Sequence, residues 1–192
     1  GRDIAPGLSG SNGPRYFGFV TGGATPAGLA GDWLAAATNQ NVSNDIGSSA
    51  AALERATCAR LGELFGLDTA LRGHFVSGAT AANLVCLATA RQALHRRLGI
   101  DSADIGLQAA PPVRVLAGAA HSSILKVMAV LGIGRQALQP VACLPGRTAV
   151  DPAALEAALA EGHPATIVVA SAGEVNTGDF DDLAAVAEAC RR

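Results

Sequence analysis

The chain has 192 residues, enough to bury one sizeable core, and its formal net charge at pH 7 is −2. Only 16% of its residues are charged and 49% are hydrophobic, which predicts that part of its surface is covered in a larger assembly. It has no basic stripe and no apolar run of about 18 residues, and its first residues lack the charged-then-apolar pattern of a signal peptide. We therefore expect a cytoplasmic protein that binds neither nucleic acid nor membrane.

The four cysteines are far apart in sequence, and no two of them form a C-x-x-C pair. This spacing favours free thiols in a reducing compartment over disulfides or a zinc site.

Apolar residues recur at helical spacing in several segments, and short apolar runs bounded by turn residues lie between those segments. Residues 1–24 begin as a Gly-, Ser- and Pro-rich lead-in, and the regular pattern occupies residues 25–192. In chain order, the sequence predicts helices over 26–37 and 48–65, a strand over 74–77, a helix over 80–98, a strand over 113–117, a helix over 122–131, a helix from 152, a strand over 165–170 and a helix from 183.

Several polar residues mark the ends of these elements. Asp151 is predicted to cap the helix that Pro152 begins. The carboxylates of Asp179, Asp181 and Asp182 are interpreted as favourable charges at the N-terminus of the last helix rather than as metal ligands. A further interpretation is that His95, which is followed by two arginines, belongs to a solvated helix end, and that His74 and His163 have no evident partner.

Strands separated by helices imply right-handed crossovers, and therefore an α/β fold with a mostly parallel sheet flanked by helices. Ligands of such sheets bind beyond the carboxyl ends of the strands. Residues 77–80, His121 and residues 171–173 each follow a predicted strand, so we expect them at the same edge of the sheet.

The turn over residues 77–80 opens a long helix, whose free N–H groups and dipole favour a phosphate. The turn lacks the spacing of a P-loop and that of the dinucleotide motif. An ordinary strand-to-helix connection with Thr80 as a cap explains the same residues, and His121 alone is equally compatible with a capping role. Both alternatives stay open on the residues alone.

Several short segments occur together in the order and at the spacing of one family. They are YFGFVTGG at 16–23, DWL at 32–34, NQNV at 39–42, LE at 53–54, SGATAANL at 77–84, AHSS at 120–123, ASAG at 170–173 and NTG at 176–178. From about Arg15 onward, the chain resembles the group II pyridoxal-phosphate-dependent amino-acid decarboxylases, which have the aspartate-aminotransferase fold (fold type I).

The resemblance implies a role for particular residues. Ala79 and Thr80 occupy the positions that hold the phosphate of pyridoxal 5'-phosphate. His121 matches the histidine that stacks on the pyridine ring and faces the substrate, and Ser171 matches a small hydroxyl residue beneath the ring. Thr21 matches a residue on the substrate side, in a loop at the subunit interface. The chain departs from the family pattern where an acidic residue is usual at position 81 and where threonines usually follow Gly173.

The implied reaction removes the α-carboxylate of an amino acid as carbon dioxide and leaves an amine, in a homodimer. The family's ring-nitrogen aspartate and cofactor-linking lysine are expected in a C-terminal segment after Arg192. Residues 25–192 are therefore expected to be a partial cofactor-binding domain that is inactive alone. Lys126, the only lysine, has no family match. Two alternatives remain: a non-catalytic cofactor-binding or assembly module, and another fold type I lyase or aminotransferase.

Overall fold

The computed structural model describes residues 5–13, 15–16, 18, 23–41, 43 and 46–192. The chain divides into two compact units, residues 1–75 and residues 76–192. Among the described residues, no helix has the length and apolar character that crossing a membrane requires.

The described residues of the first unit include two α-helices, α1 (Pro26–Thr38) and α2 (Ala50–Leu64), close to their predicted positions. α1 begins as its sequence predicts, with Pro26 in the first turn and the Thr25 hydroxyl accepting the Gly28 N–H at 3.1 Å. Neither helix buries much of its side-chain surface, because α1 has no buried residue and α2 has one, Ala51. Their apolar side chains, including that of Trp33, are largely exposed.

The second unit is an α/β layer structure built on three parallel strands in the order β2-β1-β3. The helices α3 and α5 pack against one another on one face of the sheet, and α6 and α7 pack together on the other. The elements are α3 (Ala79–Arg97), α4 (Ser102–Ile105), β1 (Arg114–Ala117), α5 (Ser122–Val130), β2 (Leu138–Pro140), α6 (Pro152–Leu159), β3 (Thr166–Val169) and α7 (Leu183–Ala189). The predicted α/β fold with a parallel sheet is thus confirmed.

The central strand β1 contributes to both cores because alternate side chains point to opposite faces. Val115 is fully buried and belongs to the cluster that contains Met128 of α5. Leu116 is 1% exposed and belongs to the cluster that contains Leu155 of α6 and Val186 of α7. Since β2 and β3 flank β1 on opposite sides, right-handed crossovers require α5 and α6 to lie on opposite faces, as observed.

One predicted strand is wrong and one real strand was not predicted. Residues 74–77 form no strand, and the Phe75 N–H instead donates to the Glu54 carboxylate at 2.8 Å. β2 is only three residues long and ends at Pro140, so its apolar run is too short to stand out in the sequence.

The prediction that His95 belongs to a solvated helix end is also wrong. The imidazole is 1% exposed, with Nδ1 2.8 Å from the Ser102 Oγ and Nε2 3.1 Å from the Pro111 carbonyl oxygen. The chain folds back through α4 over the last turn of α3, so that a polar side chain at the helix end becomes buried with hydrogen-bond partners.

Candidate functional site

The N-terminus of α3 has no side-chain cap. Gly78 precedes it with a φ of +151°, a conformation that favours glycine. The N–H groups of Ala79, Thr80 and Ala81 lie in the first turn and make no hydrogen bond to another described residue. The Thr80 side chain is exposed and its hydroxyl is likewise without a described partner. This helix end therefore presents donors and the positive end of its dipole.

A cavity of about 540 Å³ lies at this helix end. It is lined by residues 77–81, Leu84, Lys126, Val127 and Val130. None of these described residues is acidic, and Lys126 adds an ammonium group from α5. The volume falls within the range typical of small-molecule sites, and the charge favours an anion. The residues present therefore fit a phosphate group.

Ser171 follows β3 and lies beside the loop that follows β1. Its hydroxyl donates to the Ala119 carbonyl oxygen at 3.5 Å, two residues before His121. After β1 the chain continues to α5 on one face, whereas after β3 it continues to α7 on the other. Such divergence opens a crevice at the carboxyl ends of neighbouring parallel strands, which is where ligands of α/β sheets bind.

His121 is exposed and caps α5. Its Nδ1 accepts the Ser123 N–H at 3.2 Å and lies 2.8 Å from the Ser123 Oγ. Ser123 is buried, and its Oγ also accepts from the Asn83 Nδ2 at 2.9 Å. Asn83 lies one turn along α3 from Thr80, so these contacts connect the first turns of α3 to His121.

Of the predicted site residues, Ala79 and Thr80 line the α3 cavity, whereas Ser171 lies beside the loop that leads to His121. Contacts join Ser171 to the loop of His121, and His121 to α3, whose first turn holds Ala79 and Thr80. The residues lining the α3 cavity include neither His121 nor Ser171. Thr21, the predicted substrate-side residue, lies outside the described residues.

Asp181 fixes the backbone of Ser171, a role that the sequence interpretation missed. Its carboxylate, 6% exposed, accepts the N–H groups of Ser171 and Val150, each at 2.7 Å, and its own N–H donates to the Ser171 carbonyl oxygen at 2.9 Å. Only Asp182 caps α7, accepting from Ala185 at 3.0 Å. Interpreting all three carboxylates as charges at the N-terminus of α7 is therefore wrong for Asp181, whose side chain turns inward between β3 and α7. It is also wrong for Asp179, whose carboxylate binds Arg147 and the N–H groups of Thr148 and Ala149.

The carboxylates of Glu174 and Asp179 both have hydrogen-bond partners, Glu174 within its own turn and Asp179 in the segment that precedes α6. The Glu174 carboxylate accepts the N–H groups of Asn176 at 3.0 Å and Thr177 at 2.9 Å, and these bonds lower its pKa. The Arg147 guanidinium hydrogen-bonds the Asp179 carboxylate and holds the pKa of that group well below its usual range. The Glu174 side chain thus binds its own turn.

We expect the stabilisation by Asp179 to be lost in acid. Its pKa is lowered on folding, so its contribution is complete above the ordinary carboxyl pKa of 3.8 and disappears as the pH falls through the folded-state pKa. The difference in free energy of unfolding between wild type and Asp179→Asn should be constant above about pH 5 and shrink below it. Urea titrations at several pH values measure this difference. The exposed Asp104, changed to Asn, is the control; an equal pH dependence for both variants would contradict the prediction.

Comparisons with known proteins agree with the predicted resemblance. A model of the pyridoxal-dependent decarboxylase conserved domain matches residues 1–192. The chain is 35% identical over 172 residues to an L-2,4-diaminobutyrate decarboxylase of Rhizobium meliloti (strain 1021), covering 86% of this chain and 32% of that protein. It is 29% identical over 185 residues to a cysteine sulfinic acid decarboxylase of Rattus norvegicus, covering 93% of this chain and 36% of that protein.

Among solved structures, mouse CSAD in its apo form matches with a TM-score of 0.82 and 29% identity over 95% of this chain and 38% of that one. The chain therefore spans about a third of the length of the curated relatives that it matches.

Proposed function

Because the chain belongs to the pyridoxal-dependent decarboxylase family, we propose that it is part of an enzyme that removes the α-carboxylate of an amino acid as carbon dioxide, leaving an amine. Its fold is the aspartate-aminotransferase-like α/β fold of the pyridoxal phosphate decarboxylases. The family's cofactor is pyridoxal 5'-phosphate. When bound, this cofactor withdraws electrons from the substrate's α-carbon as the carboxylate leaves.

The proposal rests on one observation: an uncapped helix N-terminus opens onto a cavity without acidic residues, at the SGATAANL segment. We propose that the N–H groups of Ala79 and Thr80 and the Thr80 hydroxyl bind the cofactor phosphate there. Lys126 lies at the same cavity and contributes a favourable positive charge. Burying these donors against a phosphate satisfies groups that have no described partner in the protein.

His121 and Ser171 are proposed to contact the pyridine ring of the cofactor, at the crevice between the carboxyl ends of β1 and β3. The exposed imidazole of His121 would pack on one face of the ring and orient the substrate carboxylate. With Nδ1 occupied by Ser123, its Nε2 is the atom that can hold or move a proton. Ser171 would contact the ring's other side, and Thr21 is proposed to lie near the substrate.

The remaining groups of the active enzyme are proposed to come from elsewhere in the assembly. Lys126 lies within α5 and lines the α3 cavity, so it is placed at the proposed phosphate site rather than at the proposed site of the cofactor ring. We therefore propose that the cofactor-linking lysine and the ring-nitrogen aspartate come from a further segment, and that two subunits form a dimer around the site. The exposed apolar side chains of α1 and α2 are consistent with such coverage.

Product analysis of the whole enzyme tests this function. With pyridoxal phosphate and a panel of amino acids, we expect release of carbon dioxide and formation of the matching amine. Cofactor binding with no carbon dioxide released from any amino acid would instead support the non-catalytic alternative. Transfer of the amino group to a keto acid would support an aminotransferase.

Replacing Thr80 with Val should weaken cofactor binding by about 1–3 kcal/mol, because a charge-assisted hydrogen bond to phosphate is lost. Equilibrium dialysis with pyridoxal phosphate measures this change directly. Thr89→Val is the matched control, since Thr89 lies on the exposed side of the same helix and its hydroxyl donates only to the Val85 carbonyl oxygen. Equal affinities for the two variants would make Thr80 an ordinary helix residue.

A further inference from the structure

The described structure contains a short hydrogen-bond chain that ends at the ring of His121. Asn83 Nδ2 lies 2.9 Å from the Ser123 Oγ, and the Ser123 Oγ lies 2.8 Å from the His121 Nδ1. The Ser123 side chain is 3% exposed, and water has little access to it. A buried hydroxyl with two protein partners has a defined hydrogen-bond direction.

The chemistry of the two ends determines that direction. The amide nitrogen of Asn83 only donates, so it occupies a lone pair of the Ser123 oxygen. The Ser123 hydroxyl proton is then free to point at the His121 Nδ1. The Ser123 backbone N–H, which also only donates, lies 3.2 Å from the same Nδ1. Two donors facing one ring nitrogen require that this nitrogen has no proton.

We propose that Asn83 and Ser123 are positioning residues that keep the neutral His121 ring in the Nε2–H tautomer and fix its orientation. The buried Ser123, held by the partly buried Asn83, anchors one ring nitrogen, and the other nitrogen is thereby presented with its proton on the exposed side of the ring. Because Asn83 belongs to α3, the same contact fixes the position of the His121 ring relative to the N-terminus of α3 at Thr80. The functional meaning of this tautomer rests on the proposed function, whereas the tautomer itself does not.

Nitrogen-15 NMR of the histidine rings tests the inference without a cofactor. In the wild-type protein at neutral pH, we expect the His121 Nδ1 resonance to be of the unprotonated type and the Nε2 resonance to be of the N–H type. A His121→Gln spectrum assigns the signals. A protonated Nδ1 in the wild-type spectrum would overturn the proposal, whatever the variants do.

Two substitutions then test the two positioning residues. Ser123→Ala removes the hydroxyl donor, so the two ring resonances of His121 should move toward each other as the second tautomer becomes populated. Asn83→Asp is nearly isosteric and replaces the donor with an acceptor, which draws the Ser123 proton away from the ring and should cause a larger shift. Unchanged His121 resonances in both variants would overturn the proposal.

Gln92→Glu is the matched control. Gln92 lies farther along α3 and accepts from the Ser102 hydroxyl, whose oxygen contacts the ring of His95. This change should shift the resonances of His95 and leave those of His121 in place. A shift of His121 in this control as large as that in Asn83→Asp would show that the effect is general to the helix, and would overturn the specific pairing.

An activity measurement links the pair to the reaction. In the whole enzyme, Ser123→Ala should lower kcat by roughly 10- to 100-fold through misplacement of the ring. Pyridoxal phosphate affinity should change little, and Ser123→Thr should restore part of the rate. If the proposed function fails, cofactor binding and decarboxylation are absent while the NMR result stands. If the positioning role fails, Ser123→Ala leaves kcat at the wild-type value.

Discussion

Replacing His121 with Ala is expected to lower turnover of the whole enzyme by about 10²- to 10⁴-fold, the range typical of a lost group that moves a proton. The exposed ring contributes little to the core, and its measurable structural role is the cap on α5. Loss of that cap should lower the free energy of unfolding by only about 0.5–2 kcal/mol. Steady-state kinetics and urea unfolding of the same preparation measure both effects.

Two further variants separate the capping role of His121 from its proposed role in proton transfer. His121→Asn keeps a side chain that caps helices well, so it should restore stability without restoring turnover. His163 has the same local geometry, with its Nδ1 accepting the Ala165 N–H at 3.2 Å, but it lies before β3 at the opposite edge of the sheet. His163→Ala should leave turnover unchanged. If His121→Asn restores full turnover, then the role of His121 is structural.

Replacing Asp181 with Ala is expected to lower the free energy of unfolding by about 3–6 kcal/mol. The change removes the charged acceptor of two N–H groups, those of Val150 and Ser171, each bond contributing about 1.5–3 kcal/mol. Val150 is buried, so its N–H has no ready substitute for the lost carboxylate. Thermal or urea unfolding followed by circular dichroism measures the loss.

Asp182→Ala is the control for this effect, because Asp182 is the adjacent carboxylate and its exposed side chain only caps α7. Its loss should be about 1 kcal/mol. Asp181→Asn keeps the shape and one acceptor oxygen and should fall between the two. A loss in Asp181→Ala no greater than that in Asp182→Ala would mean that Asp181 does not hold Ser171 in place.

The sequence predicts those elements whose signals are local. Pro26, Asp151 and Asp182 mark helix starts through chemistry confined to a few residues, and each helix begins where they indicate. The periodic apolar residues of α5 likewise predict its buried face, including Met128. The α/β class follows from the order of such elements, without knowledge of any contact between them.

The sequence fails where a residue's environment depends on distant chain. His95 is buried because α4 returns over it, and Asp181 faces inward because Val150 supplies an N–H from 31 positions away. Asn83 and Ser123 are 40 positions apart in sequence, and their role follows from the hydrogen bond between them in the folded chain. A polar Asn83 within the apolar side of α3 was the available signal for that pair. Nothing in the sequence around Lys126 indicates its position at the α3 cavity.

The loop between β3 and α7 is closed upon itself. Its two ends are joined by Asp181 and Ser171 and by an antiparallel bridge between Ala172 and Phe180, and Glu174 organises its tip. Mutations among the exposed residues 175–177 therefore need not disturb the frame that holds Ser171. Substitutions at these tip positions are therefore expected to change the side chains presented at this end of the sheet while the attachment points stay the same.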